Sequence, residues 1–159
     1  MESIRLIEPK DSKALATVIR AALTEFGANK PGTVYFDPTT DQLYELFETA
    51  GSVYFIAEKD DELLGGCGIF PTIGLPEKTC ELVKLYLAPA ARGKGLGKAL
   101  MLKAMAWAKE AGYAQVYLET MPELSNAVTM YEQLGFNRLP KSLGNSGHDG
   151  CSIWMLKAL

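Results

Sequence analysis

The chain has 159 residues, of which 48% are hydrophobic and 22% are charged, and its formal net charge is −3. This length and composition predict a soluble globular protein with a substantial core, so residues 1–159 are expected to form one domain rather than two. Charges interrupt the first segment every few positions, which excludes a secretory signal or a membrane span there and favours a cytoplasmic protein that does not bind membranes.

The first part of the chain predicts one strand and two helices. A strand is expected over residues 3–8, and Asp11 and Ser12 are typical helix-start residues. The apolar residues that follow recur with the spacing of one helix face; they are Leu15, Val18, Ile19, Ala22 and Leu23. A second short helix is expected after residues 39–41, and residues 25–38 are the most loop-like part of this half.

Three strands are expected in the middle of the chain, over residues 53–58, 63–70 and 78–87. The first two are joined by a tight acidic turn, as in an antiparallel hairpin. Glycine weakens the second strand and indicates a β-bulge or a close backbone approach; the residues are Gly65, Gly66 and Gly68.

The last third alternates helices and strands. A helix is expected over residues 96–111 with Gly112 at its C-cap, and a strand over residues 115–119. A helix over residues 123–134 and a strand after Gly135 follow, and a final strand is expected over residues 151–156. Together the elements predict an α/β fold with a mixed, mostly antiparallel sheet of six or seven strands flanked by helices.

The chain has three cysteines, Cys67, Cys80 and Cys151, and one histidine, His148. The cysteines are widely spaced, without a Cys-x-x-Cys pair, which argues against a zinc site or a disulfide framework. We therefore expect reduced core cysteines and no metal site.

A glycine-rich turn, Arg92-Gly93-Lys94-Gly95-Leu96-Gly97, lies between an apolar strand and the start of a helix. Backbone amides at a helix N-terminus bind phosphate, so this turn predicts a phosphate-bearing ligand. A dinucleotide-binding fingerprint requires a third glycine after Gly93 and Gly95, but that position is Lys98. The sequence does not match the P-loop pattern either.

The pattern Arg92-x-x-Gly95-x-Gly97 resembles the acetyl-coenzyme A signature of the GNAT acetyltransferase superfamily in its arginine, its two glycines and their spacing. Residues 81–89 resemble that family's fourth strand, and residues 127–136 resemble its last helix and following strand, so the similarity covers roughly residues 50–138. The resemblance implies the GNAT acyl-CoA N-acyltransferase fold. It also implies an N-acetyltransferase that moves the acetyl group of acetyl-coenzyme A directly to a primary amine of a small acceptor, and it is compatible with a homodimer.

The resemblance assigns the coenzyme to the turn and to the strand before it. The pyrophosphate is expected at the turn, facing the amides of residues 93–98. The cofactor-binding residues of the turn are Arg92, Gly93, Lys94, Gly95, Leu96, Gly97 and Lys98. The pantetheine arm is expected along Leu85, Tyr86 and Leu87, with the Leu87 amide facing the oxyanion. A solvated turn and a plain core strand are the structural alternatives. Many relatives have a coenzyme-binding asparagine where this chain has Leu124, and Asn126 is expected on another side of the helix.

Basic residues concentrate around the turn. Six basic and no acidic residues lie between Lys84 and Lys109, whereas the rest of the chain has 10 basic and 19 acidic residues, a balance of −9. A local positive field favours capture of a coenzyme phosphate, although Lys103 and Lys109 fit a solvated helix face better. The negative total charge argues against nucleic acid as a partner.

Two residues are candidates for catalysis through the resemblance. Tyr131 matches the tyrosine that protonates the coenzyme thiolate, and a phenol with an ordinary pKa of about 10 remains protonated at neutral pH. Glu81 matches a glutamate that removes the amine proton through water in some members. The alternatives are a packed tyrosine with a hydrogen-bonded hydroxyl and a glutamate on the solvent face of a strand.

His148 precedes the final strand, which borders the acceptor site in GNAT folds, so it is either a substrate contact or a solvated loop residue. The acidic balance outside the turn favours a cationic amine as acceptor. It does not choose among an amino acid, a polyamine, a drug and a protein N-terminus. An inactive coenzyme A-binding sensor or partner module is the alternative function.

Overall fold

A computed structural model describes residues 2–147 and 149–159. Within these residues seven strands form one sheet: β1 Ser3–Leu6, β2 Val53–Lys59, β3 Glu62–Phe70, β4 Thr79–Leu87, β5 Gln115–Thr120, β6 Asn137–Leu139 and β7 Ile153–Ala158. The strand order is β1-β2-β3-β4-β5-β7-β6. Only β4 and β5 are parallel neighbours. The predicted mixed, mostly antiparallel sheet is confirmed.

The described residues also form four α-helices, which cover the two faces of the sheet: α1 Ser12–Glu25, α2 Leu43–Leu46, α3 Leu96–Glu110 and α4 Ser125–Gln133. Helices α1 and α2 belong to one hydrophobic cluster, and α3 and α4 belong to the other. None of the helices in the described part of the chain is long and apolar enough to cross a bilayer.

Several predicted boundaries differ from the structure. The first strand ends at Leu6, the last begins at Ile153, and residues 39–41 fall in a 3-10 turn, Pro38–Asp41, rather than capping α2. Helix α4 starts two residues late because Pro122–Leu124 forms a separate 3-10 turn. Local sequence signals rarely resolve such ends.

Strand β2 shows why the sheet has a core on both faces. Val53, Phe55 and Ala57 lie in the cluster with α3, whereas Tyr54 and Ile56 lie in the cluster with α1. Successive side chains of a strand point to opposite faces, so an uninterrupted apolar run is what a strand covered by helices on both sides requires.

The glycines of β3 permit the close approach that the sequence predicted. A Cβ at Gly65 would lie 2.0 Å from the Tyr86 carbonyl oxygen, and one at Gly66 would lie 2.3 Å from the Tyr54 ring. The pairing of β3 with β4 shifts register between Gly66 and Gly68. The predicted bulge and close backbone approach are therefore confirmed.

The extra residue of this bulge lies in β4 at Lys84. Its φ is +54°, a conformation that costs a non-glycine residue free energy and accompanies a β-bulge. Leu82 contacts the α3 cluster and Val83 the α1 cluster, but Leu85 again contacts the α3 cluster. The bulge thus reverses the faces to which residues 85–87 point.

Strands β4 and β5 separate soon after they meet. Their parallel pairing covers only Thr79 with Gln115, Cys80 with Val116 and Glu81 with Tyr117. Beyond these pairs, residues 82–87 and 118–120 have no cross-strand partner in this ladder. The divergence opens a gap in the middle of the sheet.

Candidate functional site

A cavity of about 590 Å³ occupies the gap between β4 and β5. Its walls are formed by β4, the glycine turn, the end of β5, helix α4 and the segment after α1. Both predicted catalytic residues, Glu81 and Tyr131, line it. Nine of the predicted coenzyme residues line it as well: Leu85, Tyr86, Leu87, Arg92, Gly93, Gly95, Leu96, Gly97 and Lys98.

Lys94, the tenth predicted coenzyme residue, is not part of the cavity wall. Its side chain is exposed, and its Nζ lies 4.0 Å from a carboxylate oxygen of Glu2. The structure therefore brings the backbone of the turn to the cavity but leaves this side chain outside it.

The glycine turn presents backbone amides toward the cavity end of α3. Gly93 and Gly95 have φ values of +77° and +80°, which glycine adopts without strain. Among the described residues, none of the backbone hydrogen bonds found outside regular elements is donated by the amides of residues 93–98. A helix N-terminus with unpaired amides is an anion-binding site, because the helix dipole adds to the hydrogen bonds.

Arg92 is held by the protein itself. Its Nε and Nη2 donate to the Leu87 carbonyl oxygen at 3.1 and 3.0 Å, and its Nη1 lies 2.6 Å from Glu25. Its guanidinium also stacks 4.8 Å from the centre of the Phe26 ring. These contacts fix the end of β4 against α1. The exposed Lys98 therefore supplies the cation at the rim that is not committed to an ion pair within the described chain.

Tyr131 lies on α4 with its side chain inside the cavity wall. The residue is 7% exposed, and its ring centre lies 6.0 Å from that of Phe136. Its hydroxyl forms no hydrogen bond within residues 2–147 and 149–159, whereas other tyrosine hydroxyls do. The alternative of a packed tyrosine with a hydrogen-bonded hydroxyl therefore does not hold for these residues. Burial raises the pKa of the Tyr131 hydroxyl, so the hydroxyl stays protonated at neutral pH.

Glu81 is buried in β4 next to the point where β4 and β5 separate. It is 3% exposed, so the alternative of a solvent-facing glutamate is wrong. Thr72 Oγ1 donates to Glu81 Oε1 at 2.6 Å. Burial raises the pKa of Glu81 to about 7, with a further rise from Glu119, against the opposing effects of Thr72 and Lys84. A carboxylate with this pKa can both accept and release a proton near neutral pH.

The raised pKa of Glu81 makes stability depend on pH. Between the unfolded pKa of 4.5 and the folded value of about 7, the folded state binds more protons, so the free energy of unfolding falls as pH rises. The loss is about 3 kcal/mol above pH 7. We expect Glu81→Gln to be more stable than the wild type at pH 8 by a larger margin than at pH 5, measured by urea unfolding.

The control for this prediction is Glu62→Gln, which removes an exposed carboxyl of β3. It measures how the loss of one exposed carboxyl changes unfolding at the two pH values. A Glu81→Gln difference that varies with pH no more than the Glu62→Gln difference would show that the pKa of Glu81 is not raised.

Two residues at the end of β5 complete the cavity and were missed by the sequence analysis. Glu119 accepts hydrogen bonds from the Tyr117 hydroxyl at 2.6 Å and from Ser146 Oγ. Thr120 Oγ1 is buried with no hydrogen-bond partner in the described chain. The available signal was a pair of polar residues ending an apolar strand, since parallel strands bring their carboxyl ends to the same edge.

Other residues differ from their sequence-based expectations. Asn126 is exposed, whereas Leu124 packs against the cluster with α1, although both residues line the cavity. Cys67 and Cys80 are buried as predicted, whereas Cys151 is half-buried and lines the cavity. His148 lies outside the described residues.

Part of the loop-like segment over residues 25–38 reaches the same cavity. Phe26, Thr33 and Val34, from the connection between α1 and α2, line its wall. The loop before β7 packs against this connection, since the Gly150 amide donates to the Gly32 carbonyl oxygen at 2.9 Å. The cavity thus has one end at the glycine turn and a second end beneath these loops.

Comparison with known proteins identifies the family. Residues 16–136 match the model of the acetyltransferase (GNAT) family. The Escherichia coli K12 protein named uncharacterized N-acetyltransferase YjgM is 42% identical over 158 residues, 98% of this chain and 94% of that protein. Human N-acetyltransferase 8 is 30% identical over 124 residues, which are 74% of this chain but 55% of the human protein.

Solved structures agree on the fold. A GNAT-family acetyltransferase from Staphylococcus aureus Mu50 superposes with a TM-score of 0.87 at 19% identity, covering 100% of this chain and 99% of the other. The PaiA N-acetyltransferase of Thermoplasma acidophilum, solved in complex with coenzyme A, has a TM-score of 0.78 at 22% identity, with 100% and 99% covered. The family match over most of the chain and the identity to the E. coli relative show that the chain is an acetyltransferase of the GNAT family.

Proposed function

We propose that the protein transfers the acetyl group of acetyl-coenzyme A directly to a primary amine of a small acceptor. The observation that carries the proposal is the single cavity between β4 and β5, which joins the amide-bearing turn to Tyr131 and Glu81. The Thermoplasma acidophilum neighbour binds coenzyme A in the same fold, which supports the assignment of the coenzyme to this chain.

Three features of the cavity fit the coenzyme. The unpaired amides of residues 93–98 and the exposed Lys98 suit a pyrophosphate. The unpaired edge of β4 over residues 82–87 suits an extended pantetheine arm, whose amides can bond to it as an added strand would. The buried Thr120 Oγ1 has hydrogen-bonding capacity that a ligand in the cavity can use, since no described residue bonds to it.

The proposed reaction uses Glu81 and Tyr131 in opposite roles. Glu81 accepts a proton from the acceptor ammonium, through water, because only the neutral amine has a lone pair for attack. The amine nitrogen then bonds to the acetyl carbon, and the backbone amide of Leu87 donates to the developing oxyanion. The carbon–sulfur bond breaks, and Tyr131 donates its proton to the departing thiolate. The amide nitrogen then loses its extra proton, which returns through water to the Tyr131 phenolate, and the proton on Glu81 is released to solvent.

Thiol release from acetyl-coenzyme A with a panel of primary amines tests the proposal. Amine-dependent release, together with formation of the acetylated amine, supports it. Thermal stabilisation by coenzyme A without turnover of any amine would instead indicate an inactive coenzyme-binding module. The absence of stabilisation would show that the protein does not bind coenzyme A.

Lys98 provides a separate test of the phosphate end. We expect Lys98→Met to weaken coenzyme A binding several-fold and to reduce its salt dependence, because an exposed cation near a phosphate is screened by ions. Titration calorimetry at low and high salt measures both effects. Lys109→Met removes an exposed cation from the far end of α3 and serves as the matched control. Equal salt dependence in both variants would place the phosphates elsewhere.

A further inference from the structure

Lys84 is a buried cation inside the cavity that the proposed reaction does not use. The residue is 8% exposed and lines the cavity wall beside Glu81. A lysine ammonium removed from water is normally paired with a carboxylate, since desolvation of an unpaired charge is costly. The buried Asp11 follows this rule, with Arg5 nitrogens at 2.8 and 2.9 Å.

Lys84 does not follow the rule that a buried ammonium is paired with a carboxylate. Across the described residues, no ion pair or hydrogen bond includes its Nζ. Burial lowers the pKa of Lys84, while Asp37 and Glu81 act in the opposite direction and favour the ammonium form. The ammonium is thus near two carboxylates but in contact with neither, which leaves its donors available to a ligand.

The backbone holds Lys84 in this position at a cost. Its φ of +54° belongs to the left-handed region, and the bulge that contains it sets the face of every later residue of β4. The Tyr54 hydroxyl donates to the Lys84 carbonyl oxygen at 2.7 Å and holds this peptide group in place. A strained backbone that presents an unpaired buried cation to a cavity is the arrangement expected of a ligand contact.

The charges around the cavity define the complementary ligand. Glu81 and Glu119 offer carboxylates to a cationic amine, whereas Lys84 offers an ammonium to an anionic group. Given the proposed transfer to an amine, we infer that the acceptor also carries a carboxylate, which binds the ammonium of Lys84, so that the acceptor belongs to the amino-acid class. A polyamine would bring a second cation against Lys84, and such like charges repel.

Matched acceptors and variants test this inference. Amino acids and their carboxamides are compared as acceptors for the wild type, Lys84→Met and Lys84→Arg. We expect Lys84→Met to lower kcat/KM for the amino acids by about tenfold to a hundredfold, mainly through KM, and to change the carboxamides little, since a charge-assisted bond is lost only with the acids. For each protein, kcat/KM for the acid is divided by kcat/KM for its carboxamide. Comparing this ratio between the wild type and Lys84→Met cancels the different basicity of the two acceptor amines.

The variants are chosen so that the backbone conformation is kept. Methionine and arginine are unbranched at Cβ, as lysine is, so each meets the positive φ at a similar cost. Lys84→Arg should retain the preference for the acids. Lys109→Met should match the wild type for every acceptor, and thermal unfolding checks that each variant is folded. Should Lys84→Met not fold, Lys84→Gln replaces it in the same comparison.

Several outcomes would overturn the inference. One is an equal loss for acids and carboxamides in Lys84→Met, and another is a wild-type preference for polyamines. A third is an increase in intact mass by one acetyl group that is absent in Lys84→Met, which would make Lys84 itself an acceptor.

Binding separates this inference from the proposed function. Thermal stabilisation of the coenzyme A-saturated protein is measured with the same acids and carboxamides, so the result does not require turnover. Stabilisation by the acids that is lost in Lys84→Met supports the inference even if no acceptor reacts. Turnover of amines without any effect of the carboxylate overturns the inference and leaves the proposed function intact.

Discussion

Replacement of Tyr131 by phenylalanine is expected to lower kcat by about a hundredfold or more while coenzyme A affinity changes little, since proton transfer by one positioned group is worth about 10²–10⁴-fold. The ring fills its place against Phe136 without the hydroxyl, so the packing is preserved. The hydroxyl has no protein partner in the described chain, and its removal therefore leaves no buried group unsatisfied. Steady-state rates and titration calorimetry measure the two quantities.

Tyr44→Phe is the control, because Tyr44 lies in α2 outside the cavity and its hydroxyl makes no hydrogen bond with the described residues. It should retain the wild-type rate. A rate loss of less than about threefold in Tyr131→Phe would mean that water or another group protonates the thiolate, since a single positioned acid contributes far more than that.

Replacement of Glu81 by glutamine is expected to lower kcat/KM by about a hundredfold at pH 7.5 and to remove an inflection from the pH profile. Wild-type activity should rise with pH through about 7, because Glu81 must be ionised to accept the proton and its pKa is raised to about 7. Glutamine retains the size of the side chain but cannot accept a proton. Rates measured from pH 5.5 to pH 9 check both statements.

Glu119→Gln sharpens the assignment of that inflection. The Glu119 charge contributes to the raised pKa of Glu81, so its removal should move the inflection to lower pH without abolishing it. Persistence of the wild-type inflection in Glu81→Gln would assign the titration to another group, and Glu81 would then have only a structural role.

The features that the sequence predicted correctly depend on neighbours along the chain. The turn from Arg92 to Gly97 requires glycine at positive φ and a helix start directly after it, and both requirements are satisfied by adjacent residues. The end of α3 is likewise local: the Gly112 amide donates to Lys109 and the Tyr113 amide to Ala108, the pattern of a helix that ends at glycine.

The environment of each candidate side chain depends on residues that are distant in the sequence. Arg92 was assigned to the pyrophosphate by its place in the motif, whereas its guanidinium binds Leu87 and Glu25, and Glu25 lies 67 positions away. Lys84 was counted with the basic residues around the turn, whereas the bulge places it inside the cavity. Neither result follows from residue type or spacing.

The sequence by itself thus determined the element order, the glycine turn at the start of α3 and the residue types that a GNAT acetyltransferase requires, because backbone preference and hydrophobic periodicity act over a few residues. Only the tertiary structure decided that β4 and β5 separate after Glu81 and that Glu119 and Thr120 join the cavity. It also decided that Lys84 is buried without an ion pair to any residue that the structure describes. Burial and charge depend on strands and loops that are distant in sequence, and desolvation by those neighbours sets the pKa of Glu81.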